Sequence, residues 1–76
     1  MEYHDFITTI RQLGFRYYHF KDYITFRHFK NGFELDVPRE DFPKKNVTPE
    51  QCQAVYDELM ELLKIHNKQV NYRFNW

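Results

Sequence analysis

The segment FRYYHFKDYITFRHFKNGFELDV, residues 15–37, decides the fold of this chain. From Phe15 onward, its apolar side chains recur with the period of two that is typical of a β-strand. Asn31-Gly32 lies between two runs of strand-forming residues, and it is a strong hairpin signal because both residues tolerate positive φ. The segment therefore predicts a three-stranded antiparallel meander.

The Asn31-Gly32 turn also predicts the register of the second hairpin. A two-residue loop gives the opposed pairs Lys30 and Phe33, Phe29 and Glu34, His28 and Leu35, Arg27 and Asp36, and Phe26 and Val37. Phe26, Leu35 and Val37 then face the core together. Arg27 and Asp36 meet on the opposite face as complementary charges, so the two assignments agree.

A turn at Lys21-Asp22 is predicted for the first hairpin. It pairs Phe20 with Tyr23 and Tyr18 with Thr25, and it directs Phe15, Tyr17 and His19 toward the core. The opposite face of the sheet then carries Arg16, Tyr18, Phe20, Tyr23, Arg27 and Phe29. A longer turn would exchange the two faces of the first strand, but either choice leaves two aromatic residues of that strand pointing away from the core.

A first helix is predicted before the meander. Its apolar residues recur at helical spacing, and they are Phe6, Ile7, Ile10 and Leu13. Gly14 follows at the position where a left-handed residue commonly ends a helix. We therefore expect this helix to run from about Tyr3 to Leu13.

A second helix is predicted after a loop over residues 38–46. Thr48 as N-cap, Pro49 at the first helical position and Gln51 at the third form a capping box. The apolar stripe that follows consists of Cys52, Val55, Tyr56, Leu59, Leu62, Leu63 and His66. This stripe should cover the sheet beside the first helix.

The end of the chain reads as a strand. Val70, Tyr72, Phe74 and Trp76 alternate with the polar residues Gln69, Asn71, Arg73 and Asn75. The sequence thus predicts a single α+β domain over residues 1–76, a two-layer sandwich of helix, three-stranded antiparallel meander, helix and C-terminal strand. That strand can pair within its own sheet or with a second subunit, which would give a homodimer.

Composition narrows the class of protein. Eleven Lys and Arg balance eleven Asp and Glu, whereas a dedicated nucleic-acid binder usually carries a net basic patch. The only cysteine, Cys52, excludes an internal disulfide and favours a reducing cytoplasm. No apolar run approaches the length of a membrane span, so we expect no membrane partner.

Few residues suggest chemistry. The four histidines, His4, His19, His28 and His66, show no metal-ligand spacing, and His19 and His28 are expected to pack by their rings at the sheet rim. Cys52 opens the apolar stripe, where a small buried side chain is commoner than a reactive thiol. There is no glycine-rich phosphate loop. We expect a non-catalytic protein without a metal or cofactor.

The surplus of outward aromatic residues is the main functional signal. Tyr, Phe and Arg are enriched in protein interfaces, and a neutral chain suits a protein partner. The same residues could stack single-stranded RNA, or simply strengthen a small sheet by cross-strand pairing. The predicted partner-binding residues are Arg16, Tyr18, Phe20, Tyr23, Arg27, Phe29, Tyr72 and Trp76. By analogy of size, small regulators and phage-encoded inhibitors belong to this class.

Three segments resemble one known family. Residues 10–15, IRQLGF, residues 31–40, NGFELDVPRE, and the capped helix that follows are similar to the HicA toxins. The resemblance spans roughly residues 6–63 and implies a fold like that of double-stranded-RNA-binding domains. It also makes an RNA-binding protein or ribonuclease the alternative function.

The chain departs from that family at the catalytic position. HicA toxins place Gly-Ser-His at the start of the second strand, where this chain has Asp22, Tyr23 and Ile24. His19 and His28 lie five residues before and four residues after Ile24, so neither takes that place. The resemblance therefore implies the fold more than the ribonuclease activity.

Overall fold

A computed structural model describes the backbone of residues 1–74 and the side chains of residues 1–66. Its elements are α1 (Tyr3–Gln12), β1 (Phe15–His19), β2 (Tyr23–His28), β3 (Glu34–Pro38) and α2 (Pro49–Phe74). The three strands form one antiparallel sheet in the order β1-β2-β3. The predicted α+β class is confirmed.

The first hairpin has the predicted register. Tyr18 is opposite Thr25, and the backbone N–H of Phe20 donates to the carbonyl of Tyr23 at 2.9 Å. Lys21-Asp22 is therefore the two-residue turn. This register places Phe15 in the core and sends Tyr18 to the opposite face, as predicted.

The second hairpin differs from the prediction by two residues. Phe26 is opposite Leu35, and Arg27 is opposite Glu34 instead of Asp36. The loop is longer than predicted because the pair that closes it joins the N–H of His28 to the carbonyl of Phe33. Since side chains alternate with a period of two, this even shift leaves every strand residue on its predicted face.

The cause of the shift is the buried imidazole of His28. Its Nδ1 accepts the backbone N–H of Asn31 at 3.1 Å, and its Nε2 lies 3.0 Å from the carbonyl oxygen of Leu13. Because that carbonyl can only accept, Nε2 carries the proton. Gly32 has φ of +78° and donates to the carbonyl of His28, whereas Asn31 does not take the positive φ that a two-residue type I′ turn requires.

The end of α1 and the start of α2 follow their local signals. α1 ends one residue before Leu13, and Gly14 then takes φ of +99°. At the start of α2, the N–H of Gln51 donates to Thr48 Oγ1 at 3.1 Å and the N–H of Thr48 donates to Gln51 Oε1 at 3.0 Å. The predicted capping box is confirmed.

The predicted C-terminal strand is wrong for the residues that the structure describes. Residues 70–74 continue α2, so the sheet has three strands in this part of the chain. No glycine or proline follows Pro49, and nothing in the sequence therefore ends the helix before this segment. A homodimer built on that strand loses its basis, while Asn75 and Trp76 lie outside the described residues.

Both helices pack on the same face of the sheet. The core there is formed by Phe6, Ile10, Phe15, Ile24, Phe26, Val37, Phe42, Cys52, Val55, Leu59 and Leu63. Its centre is aromatic, because the ring of Phe6 lies 5.7 Å from that of Phe26 and 5.6 Å from that of Phe42. The other face of the sheet contributes no residue to this core.

Candidate functional site

The face of the sheet opposite the helices is a small grid of side chains. The strand register aligns three rows across it, Arg16 with Arg27 and Glu34, Tyr18 with Thr25 and Asp36, and Phe20 with Tyr23 and Pro38. We use the name outer face for this grid together with Phe29. The predicted residues Arg16, Tyr18, Phe20, Tyr23, Arg27 and Phe29 all belong to it.

The aromatic side chains of the outer face are open to solvent. Tyr18 is 49% exposed, Phe20 45% and Tyr23 38%. The rings of Phe20 and Tyr23 stack across the two strands with centroids 4.8 Å apart. They form an apolar surface at the end of the sheet nearest the first turn, and large exposed apolar side chains in one cluster are typical of binding surfaces.

Phe29 extends the outer face at the opposite end. Its N–H donates to the carbonyl of Gly14 at 2.7 Å, which continues the β1-β2 ladder by one pair beyond the strands. Its ring is 77% exposed, and the guanidinium carbon of Arg16 lies 5.6 Å from the ring centre. Among residues 1–66, the most exposed Phe, Tyr or Trp is thus fixed through its backbone.

Two arginines meet between these aromatic residues. Arg16 and Arg27 are directly opposite on β1 and β2. With Tyr18 and Phe29 they line a groove of about 280 Å³, which we call the arginine groove. Like charges in opposed positions destabilise a sheet, so this pair needs an explanation other than folding.

Acidic side chains lie along β3, at the other edge of the face. Asp36 accepts a hydrogen bond from the hydroxyl of Thr25 at 2.7 Å, and Thr25 is only 7% exposed. Glu34 approaches Arg27 with its Oε1 3.9 Å from Nε, and both side chains are about half exposed. The outer face is therefore polarised, with positive charge toward β1 and negative charge along β3.

Two of the predicted partner-binding residues lie outside the side chains that the structure describes. Tyr72 lies in α2 instead of a fourth strand, and its side chain is outside the described part of the chain. Trp76 is outside it altogether. Their predicted role in binding rested on a strand that residues 70–74 do not form.

Arg39 supports the outer face in a way that its position in a loop did not indicate. Its Nη2 and Nε donate to the carbonyl of Phe20 at 2.6 and 3.1 Å, and its Nη1 donates to the carbonyl of Phe42 at 3.4 Å. Its backbone N–H donates to the carbonyl of Asp22 at 3.1 Å. The loop after β3 is thereby tied to the first turn, on which the stacked rings sit.

His28, His66 and Cys52 have structural surroundings, whereas His4 and His19 are exposed. His28 stacks on Phe33, which in turn stacks on His66 with ring centroids 4.2 Å apart. Cys52 is fully buried, and this burial raises the pKa of its thiol. Within the described residues, no three His, Cys, Asp or Glu side chains are grouped so that they could hold a metal ion.

Comparison of the chain with protein-family models, with curated proteins and with solved structures found no match. None of the helices that the structure describes has both the length and the apolarity needed to cross a membrane.

Proposed function

We propose that this chain is a small non-catalytic binding module that recognises a protein partner through its outer face and acts as a regulator in the cytoplasm. The observation that carries the proposal is the cluster of exposed aromatic side chains on the sheet face against which neither helix packs within residues 1–66. Aromatic residues and arginine are the commonest anchors of protein interfaces.

The charge of the face favours a protein over RNA. Glu34 and Asp36 lie in the same rows as Arg27 and Tyr18, and a phosphate backbone crossing the sheet would meet their carboxylates. The chain is also neutral overall, with eleven basic and eleven acidic residues. Sequence-independent RNA affinity depends on an excess of positive charge, which is missing here.

The surroundings of the candidate acid-base residues support a non-catalytic role. Ile24, which stands where HicA toxins carry the catalytic histidine, is fully buried and has no titratable group. Both ring nitrogens of His28 are engaged by backbone groups, so neither is free to exchange a proton with a substrate. The alternative function is that of a HicA-like RNA-binding protein, and the experiment must distinguish it from protein binding.

The test is capture of partners from native lysate on the immobilised protein, with and without nuclease treatment. We expect a specific protein that persists after nuclease treatment. It should be lost from the double variant Tyr18→Ala with Phe29→Ala, and kept by Tyr3→Ala, which removes an aromatic residue of similar exposure on α1. Retention of RNA alone, or equal capture by the double variant in its folded state, would contradict the proposal.

A further inference from the structure

We infer that the arginine groove anchors a carboxylate side chain of the protein partner, with an adjacent apolar side chain of that partner packing on the exposed rings. This inference rests on the proposed function and adds the chemistry of the partner to it. The inference starts from Arg16 and Arg27, which lie directly opposite each other. Within the described residues, no hydrogen bond or ion pair fully explains why two like charges are placed there.

The positive charge of the groove is poorly compensated. Arg27 has Glu34 as its nearest carboxylate, at a distance of 3.9 Å that is too long for a hydrogen bond. Arg16 forms no ion pair with a carboxylate among the described residues, and its one described hydrogen bond, from Nη1 to the carbonyl of Phe15, is 3.4 Å long. Asp36, the other carboxylate of the face, already accepts the hydroxyl of Thr25.

The shape of the groove suits one side chain. Its volume of about 280 Å³ is just below the range of pockets that enclose drug-sized molecules, about 300–1,000 Å³. Tyr18 and Phe29 form its apolar walls, and Phe29 supports the guanidinium of Arg16 from one side. A planar guanidinium in this position can offer two parallel N–H donors to a carboxylate.

A carboxylate fits the surroundings better than a chain of phosphates. A single carboxylate bound at Arg16 has Arg27 between itself and Glu34, whereas a nucleic-acid strand carries further charges past Glu34 and Asp36. Charges on residues two positions apart along a strand are separated by about 7 Å. This distance is within the Debye length at physiological ionic strength, so such charges still interact. The groove is therefore selective for an isolated negative charge beside apolar groups.

The experiment is an NMR titration of the full ¹⁵N-labelled chain with short peptides, followed at the arginine Nε–Hε signals. The probe is acetyl-Phe-Glu-amide, the matched neutral probe is acetyl-Phe-Gln-amide, and inorganic phosphate is the third ligand. We expect the Glu peptide to shift the signals of Arg16 and Arg27, and the Gln peptide to bind at least about threefold more weakly.

The variant Arg16→Gln should abolish the difference between the two peptides. It should remain folded, because it removes a like-charge contact from the sheet. The control Arg11→Gln removes an exposed arginine of α1 and should leave the difference unchanged. Equal binding of both peptides, absence of shifts at Arg16 and Arg27, or stronger binding of phosphate than of the Glu peptide would overturn the inference.

Failure of this inference can be told apart from failure of the proposed function. If the arginine signals do not respond but the Tyr18→Ala, Phe29→Ala variant still loses its captured protein, the outer face binds a protein by another chemistry. If that variant also keeps its captured protein, the outer face is not the interface. Stronger binding of phosphate, together with capture of RNA, would favour the HicA-like alternative.

Discussion

Gly14→Ala tests how the junction of α1 and β1 is built. Gly14 takes φ of +99°, and a Cβ placed on it would lie 3.1 Å from Nε2 of His28. That nitrogen donates to the carbonyl of Leu13, so an added methyl group requires the imidazole to shift by a few tenths of an ångström and strains this hydrogen bond. The chain contains its own control, because Gly32 also has positive φ but no atom within 4 Å of the corresponding Cβ.

The magnitude follows from these two differences. A left-handed backbone costs an alanine about 1–2 kcal/mol, partly offset by about 0.4–1 kcal/mol of lost freedom in the unfolded chain. Gly32→Ala should therefore reduce the free energy of unfolding by about 1 kcal/mol. Gly14→Ala also strains a hydrogen bond of a buried imidazole, and complete loss of that bond would add about 1–3 kcal/mol.

Urea denaturation followed by circular dichroism measures both variants. We expect Gly14→Ala to be less stable than Gly32→Ala, by up to about 3 kcal/mol, with similar m-values. Equal destabilisation by the two variants would refute the contact between residue 14 and His28. A larger effect at Gly32 would refute the account of the second loop as well.

Two further predictions concern Arg39 and Cys52. Arg39→Ala removes both side-chain donors to the carbonyl of Phe20, so its free energy of unfolding, measured by thermal unfolding, should be lower by about 1 kcal/mol. Arg39→Lys should recover only part of this loss. An unchanged melting temperature would show that these contacts do not stabilise the turn. Burial raises the pKa of the Cys52 thiol, so the unfolded chain loses its proton at lower pH than the folded chain. The contribution of Cys52 to the free energy of unfolding is therefore fully present below the ordinary thiol pKa, and it declines as pH rises through the pKa of the folded chain. Cys52→Val should lessen the decline in the urea midpoint at alkaline pH, leaving the part due to Tyr3, whose pKa burial also raises. An equally steep decline in the variant would contradict the buried thiol.

Local signals were sufficient for the first hairpin, for the end of α1 and for the start of α2. The turn at Lys21-Asp22 fixed the register of β1 and β2, and the capping box at Thr48 fixed the start of α2. The aromatic residues of the outer face followed from that register and from alternation alone. Glu34 and Asp36 of β3 also stay on the predicted face, because the error in the second hairpin is an even number of residues.

The second loop could not be predicted from local signals because a distant residue determines it. Asn31-Gly32 is a typical two-residue turn sequence, but His28 uses its two ring nitrogens to join Asn31 to Leu13. The hydrogen bond between His28 and Leu13 depends on where α1 ends, fifteen residues earlier in the chain. The role of Arg39 likewise depends on a carbonyl nineteen residues away and has no signal in its own segment.

The C-terminal segment shows a different limit. Its alternation of apolar and polar residues is short, and alternation over so few positions does not distinguish a strand from the last turns of a helix. Since no residue after Pro49 ends a helix, α2 continues to Phe74. The uninterrupted helix was therefore the stronger signal.

The most direct test of the central claim is the affinity of the captured protein for this chain and its variants, measured by isothermal titration calorimetry. The account predicts that Tyr18→Ala with Phe29→Ala weakens binding by at least about tenfold, while Tyr3→Ala leaves the dissociation constant unchanged. Circular dichroism confirms that each variant is folded. Unchanged affinity in the folded double variant, or equal loss in Tyr3→Ala, would contradict the outer face as the binding surface.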